Sequence, residues 1–528
     1  MDMKAVLKTA RDNNPLSKYF SAESLSQKAY LSAFASVLEY GARLAVGFII
    51  NPLLVAGLGD ILYGAWQVLG RLIGYISPAS GRPAQALKWT VASQQASRNF
   101  EEKRRHVGST LIVWLYFLPL LVVLGGLLAW FAPTWLDAPR EYSLTVRLAA
   151  ALLAANLILI SLTDVPRAVL EGENLGFKRM GITALLVFVG GGLTALALYL
   201  NTGLVGVATA TLATTLLTGV FFLQVVRTYV PWFGLAKPPI EAVRNFLGLS
   251  WWFLGWNLIM KLMAASDVVM LGILNSLEMV TIYTLTKYVP ETLIDFVAIV
   301  VLGITPGLGG IIGSGDLKKA ARVRNEIMVF TWLVITVAGS TIVLWNQSFA
   351  QLWVGSEYYA GTIANLLIVL MAMQFALIRN DAFIIDLTLK LRSKVILGAL
   401  SVSVSLVLVT ILVGPLNMGI IGLCLGFIVG RSILSVAYPW LVGRFLEVSI
   451  LSQLSSLMRP VFITGLLYIL MIFASKYMFV STWIGLILSV GITLLVVSPL
   501  AFFAGLSLGN RQRVLERVRS VIQRADVD

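Results

Sequence analysis

The chain is nearly devoid of the two residue types on which most metal and redox sites depend. Among 528 residues there is one cysteine, Cys424, and one histidine, His106. An intramolecular disulfide needs two thiols and a zinc centre needs several His or Cys ligands, so neither is expected. Charge is scarce as well. Charged side chains make up 12% of the sequence, where a soluble domain carries about 25%. No G-x-x-x-x-G-K-[ST] run occurs, and no stretch is polar enough to fold as a nucleotide-binding domain, which excludes an ATP-driven pump within this chain. No base-reading motif is present, so no nucleic acid partner is expected. A membrane-embedded polymerase or ligase would want a large polar loop, but the longest connections on the outer side are short, residues 132–146 being typical. No enzymatic activity, metal or cofactor is expected.

What fills the chain is apolar sequence. It is 58% hydrophobic with mean hydropathy +0.86. The runs are continuous rather than alternating, which points to helices and not to a β-barrel. About fourteen spans are predicted, at 30–57, 61–85, 109–131, 147–170, 181–200, 203–226, 246–273, 278–304, 327–346, 362–387, 395–413, 418–441, 460–478 and 482–506. The fold class is therefore an all-α polytopic membrane protein.

Basic residues fix the expected orientation. The formal net charge is +14. Lys88, Lys103, Arg104 and Arg105 fall in one class of connections, as do Lys318, Lys319 and Arg322, while Arg140, Arg147 and Lys476 nearly exhaust the other. The positive-inside rule puts both termini in the cytoplasm of a plasma or inner-membrane protein. No cleavable signal peptide is expected. His106, beside Arg104 and Arg105, reads as a solvated loop histidine. The segment from Arg511 to Ala525 is an amphipathic, arginine-rich tail suited to an anionic leaflet.

The chain also repeats itself at an offset of about 216 residues. Phe131-Ala132-Pro133-Thr134-Trp135-Leu136 after the third span parallels Phe349-Ala350-Gln351-Leu352-Trp353-Val354 after the ninth. Six spans per repeat keep one orientation, so two parallel lobes are expected, with the substrate site between them. The expected division is an N-terminal segment 1–29, an N-lobe 30–226, a linker 227–245, a C-lobe 246–441, a loop 442–459, two added spans 460–506 and a tail 507–528.

Charges inside the spans are the strongest functional clue, since each costs about 2.5–3.5 kcal/mol at the bilayer centre. The first span carries Glu39 and Arg43 on one helical face, and the second carries Arg71. Asp164 and Arg167 share a face of the fourth. Lys261 and Asp267 in the seventh are about 120° apart and need not meet. Lys287, Glu291 and Asp295 form a polar stripe along the eighth. Arg167, Arg379, Asp386 and Arg431 stand toward helix ends, where snorkelling or capping competes with facing a cavity. Arg43, Lys261 and Lys287 are more central and are expected to face a wet cavity and to attract a phosphate. Glu39, Asp267, Glu291 and Asp295 are candidate carboxylates for ion coupling.

Fourteen spans in a 6+6+2 pattern with cations in the first two resemble the multidrug/oligosaccharidyl-lipid/polysaccharide exporter superfamily. Within it the chain looks like the polysaccharide transporters, which include the Wzx-type flippases. Leu58-Gly59 with Tyr63-Gly64-Ala65-Trp66, Val169-Leu170-Glu171-Gly172 and the run Leu352 to Gly361 carry the resemblance. It implies flipping of a polyprenyl-(pyro)phosphate-linked oligosaccharide by alternating access, with membrane lipids and polysaccharide polymerase or assembly proteins as partners. By position, Arg43, Arg71, Lys261 and Lys287 match the cavity cations of that family. A drug/cation antiporter and a lipid II flippase are the alternatives in the same superfamily. The first would want a mainly acidic cavity, and the second an arginine-dense first span.

Overall fold

The computed structural model describes residues 25–525 except Ala96 and residues 388–390; side chains are described from residue 37 onward, with a few further gaps, chiefly 245–257 and 517–525. The described residues form helices and no strand. In chain order the α-helices are α1 (Leu25–Ile76), α2 (Pro83–Ser93), α3 (Phe100–Trp135), α4 (Ser143–Gly172), α5 (Met180–Tyr199), α6 (Gly203–Tyr229), α7 (Ile240–Leu274) and α8 (Leu277–Gly313). They continue with α9 (Leu317–Trp353), α10 (Thr362–Leu387), α11 (Leu391–Val413), α12 (Gly419–Leu446), α13 (Ile450–Ser475), α14 (Trp483–Leu500) and α15 (Leu508–Ala525). Twelve helices among the described residues are long and apolar enough to cross a membrane. One of them is two spans in one: α1 has 52 residues, about 78 Å of helix, and breaks at Gly59. There φ is 73°, a left-handed value that costs glycine nothing and other residues about 1 kcal/mol or more. The 35-residue α7 covers the predicted span 246–273, and the fold is that of an all-α polytopic membrane protein with roughly 12 to 14 spans.

Two compact units result. One comprises Met1–Gly57, Ile76–Phe131 and Thr145–Gly255; the other comprises Leu58–Tyr75, Ala132–Leu144 and Trp256–Asp528. The first unit's core gathers Leu87, Val107, Phe117, Val169, Val226 and Trp232. The second's includes Met263, Val297, Trp332, Phe375, Leu434 and Tyr438. Large apolar side chains point outward from both, such as Tyr116 in the first and Leu495 in the second, as lipid-facing helices require.

In the second unit, Gly64 lies so close to the start of α8 that an added Cβ would stand 2.0 Å from the Leu277 carbonyl oxygen. Beside it, Asp60 takes hydrogen bonds from Tyr358 (Oδ1, 2.5 Å) and from Thr281 (main-chain oxygen, 2.7 Å). Desolvation, and then the Asp60 carboxylate, push the Tyr358 hydroxyl up to about 12, so it remains a donor at physiological pH. Three stretches far apart in sequence are tied here, two of which carry the family-like motifs.

The added helices α13 and α14 dock on α9. Trp332 Nε1 donates to Thr464 Oγ1 at 2.9 Å, and Trp345 Nε1 donates to Thr493 Oγ1 at 2.9 Å. α9 is deeply buried, with 67% of its most apolar stretch inside the protein. One reading needs correction. Residues 86–108 are not a loop: α2 and the first turns of α3 occupy them, and His106 sits on α3 with only 15% of its side chain exposed. The reason is that Lys, Arg and Glu are good helix formers, so the helix runs two turns past the apolar segment before water competes for it.

Candidate functional site

Five helices of the second unit each carry an ionisable group that hydrocarbon alone would not tolerate, and they point them at one another. Arg71 comes from the second half of α1, Asp267 from α7, Lys287, Glu291 and Asp295 from α8, and Arg379 and Arg431 from α10 and α12. All seven line one cavity of about 190 Å³, walled by Ile294, Met371 and Phe375. The 3.6-residue period explains why α8 can contribute three: positions 287, 291 and 295 fall one turn apart on one face.

The deepest element is an ion pair. Lys287 Nζ lies 2.5 Å from Asp267 Oδ2, with side-chain exposures of 7% and 1%. The Asp267 carboxylate also accepts from Tyr283 OH at 2.6 Å and from the Val268 main-chain N–H at 2.9 Å. Three donors for one buried carboxylate satisfy the condition under which a buried pair persists. One turn on, Glu291 accepts both parts of a forked contact from Arg71 Nη2, at 2.9 and 3.2 Å, while Lys287 stays 4.0 Å away. A further turn on, Asp295 faces Arg379 at 3.7 Å, and Arg379 donates to the Ile294 carbonyl at 3.2 Å. Exposure climbs along α8, from 7% at Lys287 to 33% at Glu291 and 56% at Asp295. The cavity is therefore dry at the Asp267 end and open at the Asp295 end.

Arg431 is buried and donates to the Met263 carbonyl at 2.7 Å. Its guanidinium stacks against Phe427 and Phe375, 4.8 and 5.1 Å from the ring centroids. Among the described residues no carboxylate comes within ion-pair distance of it. Arg71, Lys287, Arg379 and Arg431 thus face Asp267, Glu291 and Asp295: four cations and three carboxylates, one positive charge in excess when all are ionised. Such a site can hold one acidic group without displacing every internal pair.

The remaining candidates lie elsewhere. Lys261 is on α7, half-buried, about 9 Å along the helix from Asp267, and does not line this cavity. Glu39 and Arg43 belong to the first unit and make the i,i+4 pair that their spacing predicts, at 2.6 Å, with Arg43 62% exposed. Asp386 pairs with Lys394 at 2.6 Å rather than meeting Arg379, and Asp381 makes a forked contact with Arg324. Arg379 and Arg431 are the cavity residues that the sequence reading left among possible helix-end caps. Their signal was present, a cation within an apolar run, but which way a helix faces is set by its neighbours.

Comparison with known proteins places this geometry in context. Residues 115–308 match a family described as "Polysaccharide biosynthesis protein". No curated protein sequence matches the chain. Among solved structures, a lipid II flippase, MurJ, in its inward closed conformation superimposes with a TM-score of 0.64 at 11% identity, over 89% of this chain and 98% of that one. An inward-facing multidrug resistance MATE family transporter of the MOP superfamily gives 0.56 at 16% identity, over 77% and 98%. These likenesses show that the chain shares the fold of these transporters, and the family match over residues 115–308 agrees with the resemblance to polysaccharide transporters drawn from the sequence.

Proposed function

We propose that the chain is a flippase that carries a polyprenyl-(pyro)phosphate-linked oligosaccharide from the cytoplasmic to the outer leaflet, by alternating access, for cell-surface polysaccharide assembly. The observation that carries this reading is the cationic excess of the second unit's cavity inside an otherwise apolar chain. A transported group must have a charge to compensate that excess, and a (pyro)phosphate head does so with oxygens suited to Arg and Lys donors. The family match over residues 115–308 supports the substrate class. Both termini lie in the cytoplasm in this reading, with the basic connections facing anionic lipid.

A drug/cation antiporter is the second reading, favoured by the three carboxylates of the same cavity and by the MATE fold likeness. Proteoliposomes separate the two. With a short-chain lipid-linked oligosaccharide bearing a fluorophore, the protein should accelerate exposure of the label to an external quencher. Arg71→Ala and Lys287→Ala should each slow it by about tenfold or more, the loss of one charge-assisted contact. Efflux of a lipophilic cation dye without lipid-linked sugar movement would make the protein an antiporter instead.

A further inference from the structure

A second cavity, of about 400 Å³, lies wholly within the first unit and takes no part in the site above. It is bounded by the short turn after α1, by the first residues of α2 and by the last four turns of α4, from Leu157 to Glu171. Its charged lining is Arg82, Lys88, Asp164, Arg167 and Glu171. About 21 residues of α4, or roughly 31 Å of helix, precede Asp164, so the cavity sits where a span of that length leaves hydrocarbon for headgroups.

Its construction is specific. Glu171 is gripped from two sides, by Lys88 Nζ at 2.8 Å and by Arg167 Nε at 3.0 Å. Arg82 is the third cation, with Asp164 as the carboxylate acting on it. Its backbone is left-handed, φ 44° and ψ 49°, directly after Gly81 at φ 67°. A non-glycine residue held in that region costs of order 1–3 kcal/mol, and such strain persists only where the surrounding structure fixes the turn. The turn is secured from below by Ser80, whose hydroxyl donates to the Ser77 carbonyl at 2.9 Å and accepts from the Arg82 N–H at 3.3 Å. Three cations against two carboxylates leave one positive charge in excess here also.

We infer that this cavity is an anion site for a phosphate or pyrophosphate group, held by Arg82, Lys88 and Arg167, with Glu171 as the internal carboxylate that the ligand displaces. The volume lies within the range of small-molecule sites, about 300–1,000 Å³. Lys88 and Arg167 are each 38% exposed, so an entering anion reaches them without prior unfolding. The same chemistry is available from a lipid phosphate in the adjoining leaflet or from a free phosphate in water.

The test uses the full-length protein in nanodiscs of neutral lipid, in a background of Arg71→Gln with Arg379→Gln, which removes the second unit's cationic excess and leaves the buried Lys287–Asp267 pair intact. Inorganic pyrophosphate is titrated calorimetrically. One saturable site is expected, weakened at least about tenfold by Arg82→Gln or Arg167→Gln. Glu171→Gln should instead tighten binding several-fold, because it removes the competitor; a purely structural ion pair would give no tightening. Nanodiscs doped with an isoprenyl monophosphate separate the sources. A raised apparent Kd for pyrophosphate marks the membrane as supplier, and an unchanged one marks the aqueous phase. Absence of saturable binding, or binding indifferent to Arg82 and Arg167, overturns the inference. Because the readout is binding in a background disabled in the other cavity, its failure leaves the flippase reading untouched.

Discussion

Asp267 is the residue on which the second unit's charge network turns. Its carboxylate is 1% exposed and receives Lys287, Tyr283 and the Val268 amide. Removing one partner of a buried pair leaves the other charge stranded, a loss of about 3–5 kcal/mol. Asp267→Asn should therefore destabilise the protein by that order in a reversible unfolding assay. The double substitution Asp267→Asn with Lys287→Met should recover most of it, since no uncompensated charge remains. A double variant no more stable than the single one would mean the pair's surroundings, not its charges, carry the effect. Glu291 makes a different prediction. Its close partner is Arg71 at 2.9 Å, with Lys287 at 4.0 Å, and the Arg71 contact is not readable from its place one turn beyond Lys287. Glu291→Gln keeps the shape and removes the charge. If Glu291 couples transport to an ion gradient, flipping in this variant loses its dependence on that gradient; transport with unchanged gradient dependence removes Glu291 from that role.

At the scale of helices, Gly64 and the α9 docking face carry opposite kinds of contact. Gly64→Ala sets a methyl 2.0 Å from a main-chain oxygen that cannot rotate away, so α1 and α8 must separate. A fall in Tm of several degrees is expected, measurable by differential scanning fluorimetry in detergent. Trp332→Phe removes the bond to Thr464, and hydrogen bonds between membrane helices average about 0.6 kcal/mol, but it also deletes part of a buried ring packed against Gly505. Its effect should exceed that value, the surplus being the void left in the core; an effect no larger than the bond alone would mean that the packing closes over the lost ring. This scale was also the most legible in the sequence. Runs of about 20 apolar residues can do little except span a bilayer, so each predicted span found its helix. The 61–85 span is the instructive case: its first part continues from α1 across Gly59, and its last part is the turn and α2. The lateral neighbours of a helix were not legible, because Arg71 and Glu291 are brought together by tertiary packing that no local pattern encodes. Thus Arg71, Asp267 and the α8 stripe are legible as candidates from charge within apolar runs, whereas the same runs give Arg379 and Arg431 an equal reading as helix-end caps.

For the whole molecule, the asymmetry of basic residues predicts sidedness, and the composition offers a clean way to read it. Cys424 is the only cysteine and is fully buried. A Cys424→Ala protein is thus a silent background for placing single thiols. Asp137→Cys, in the connection after α3, should react with a membrane-impermeant maleimide added to intact cells. Ser314→Cys, in the connection after α8, should react only after permeabilisation, since both parent residues are exposed at opposite ends of their spans. The reverse pattern would invert the orientation assigned under the positive-inside rule.

The forked contact between Arg71 and Glu291 joins residues 220 positions apart, and that separation has a meaning in time. At about 5–20 residues per second, Arg71 is synthesised roughly 11–44 seconds before Glu291. Throughout that interval the second span holds a guanidinium whose carboxylate has not been synthesised, at a cost of about 2.5–3.5 kcal/mol if it enters lipid alone. The pairing of Arg71 with Glu291 is thus necessarily a late step in assembly, since it cannot form until the eighth span has been made.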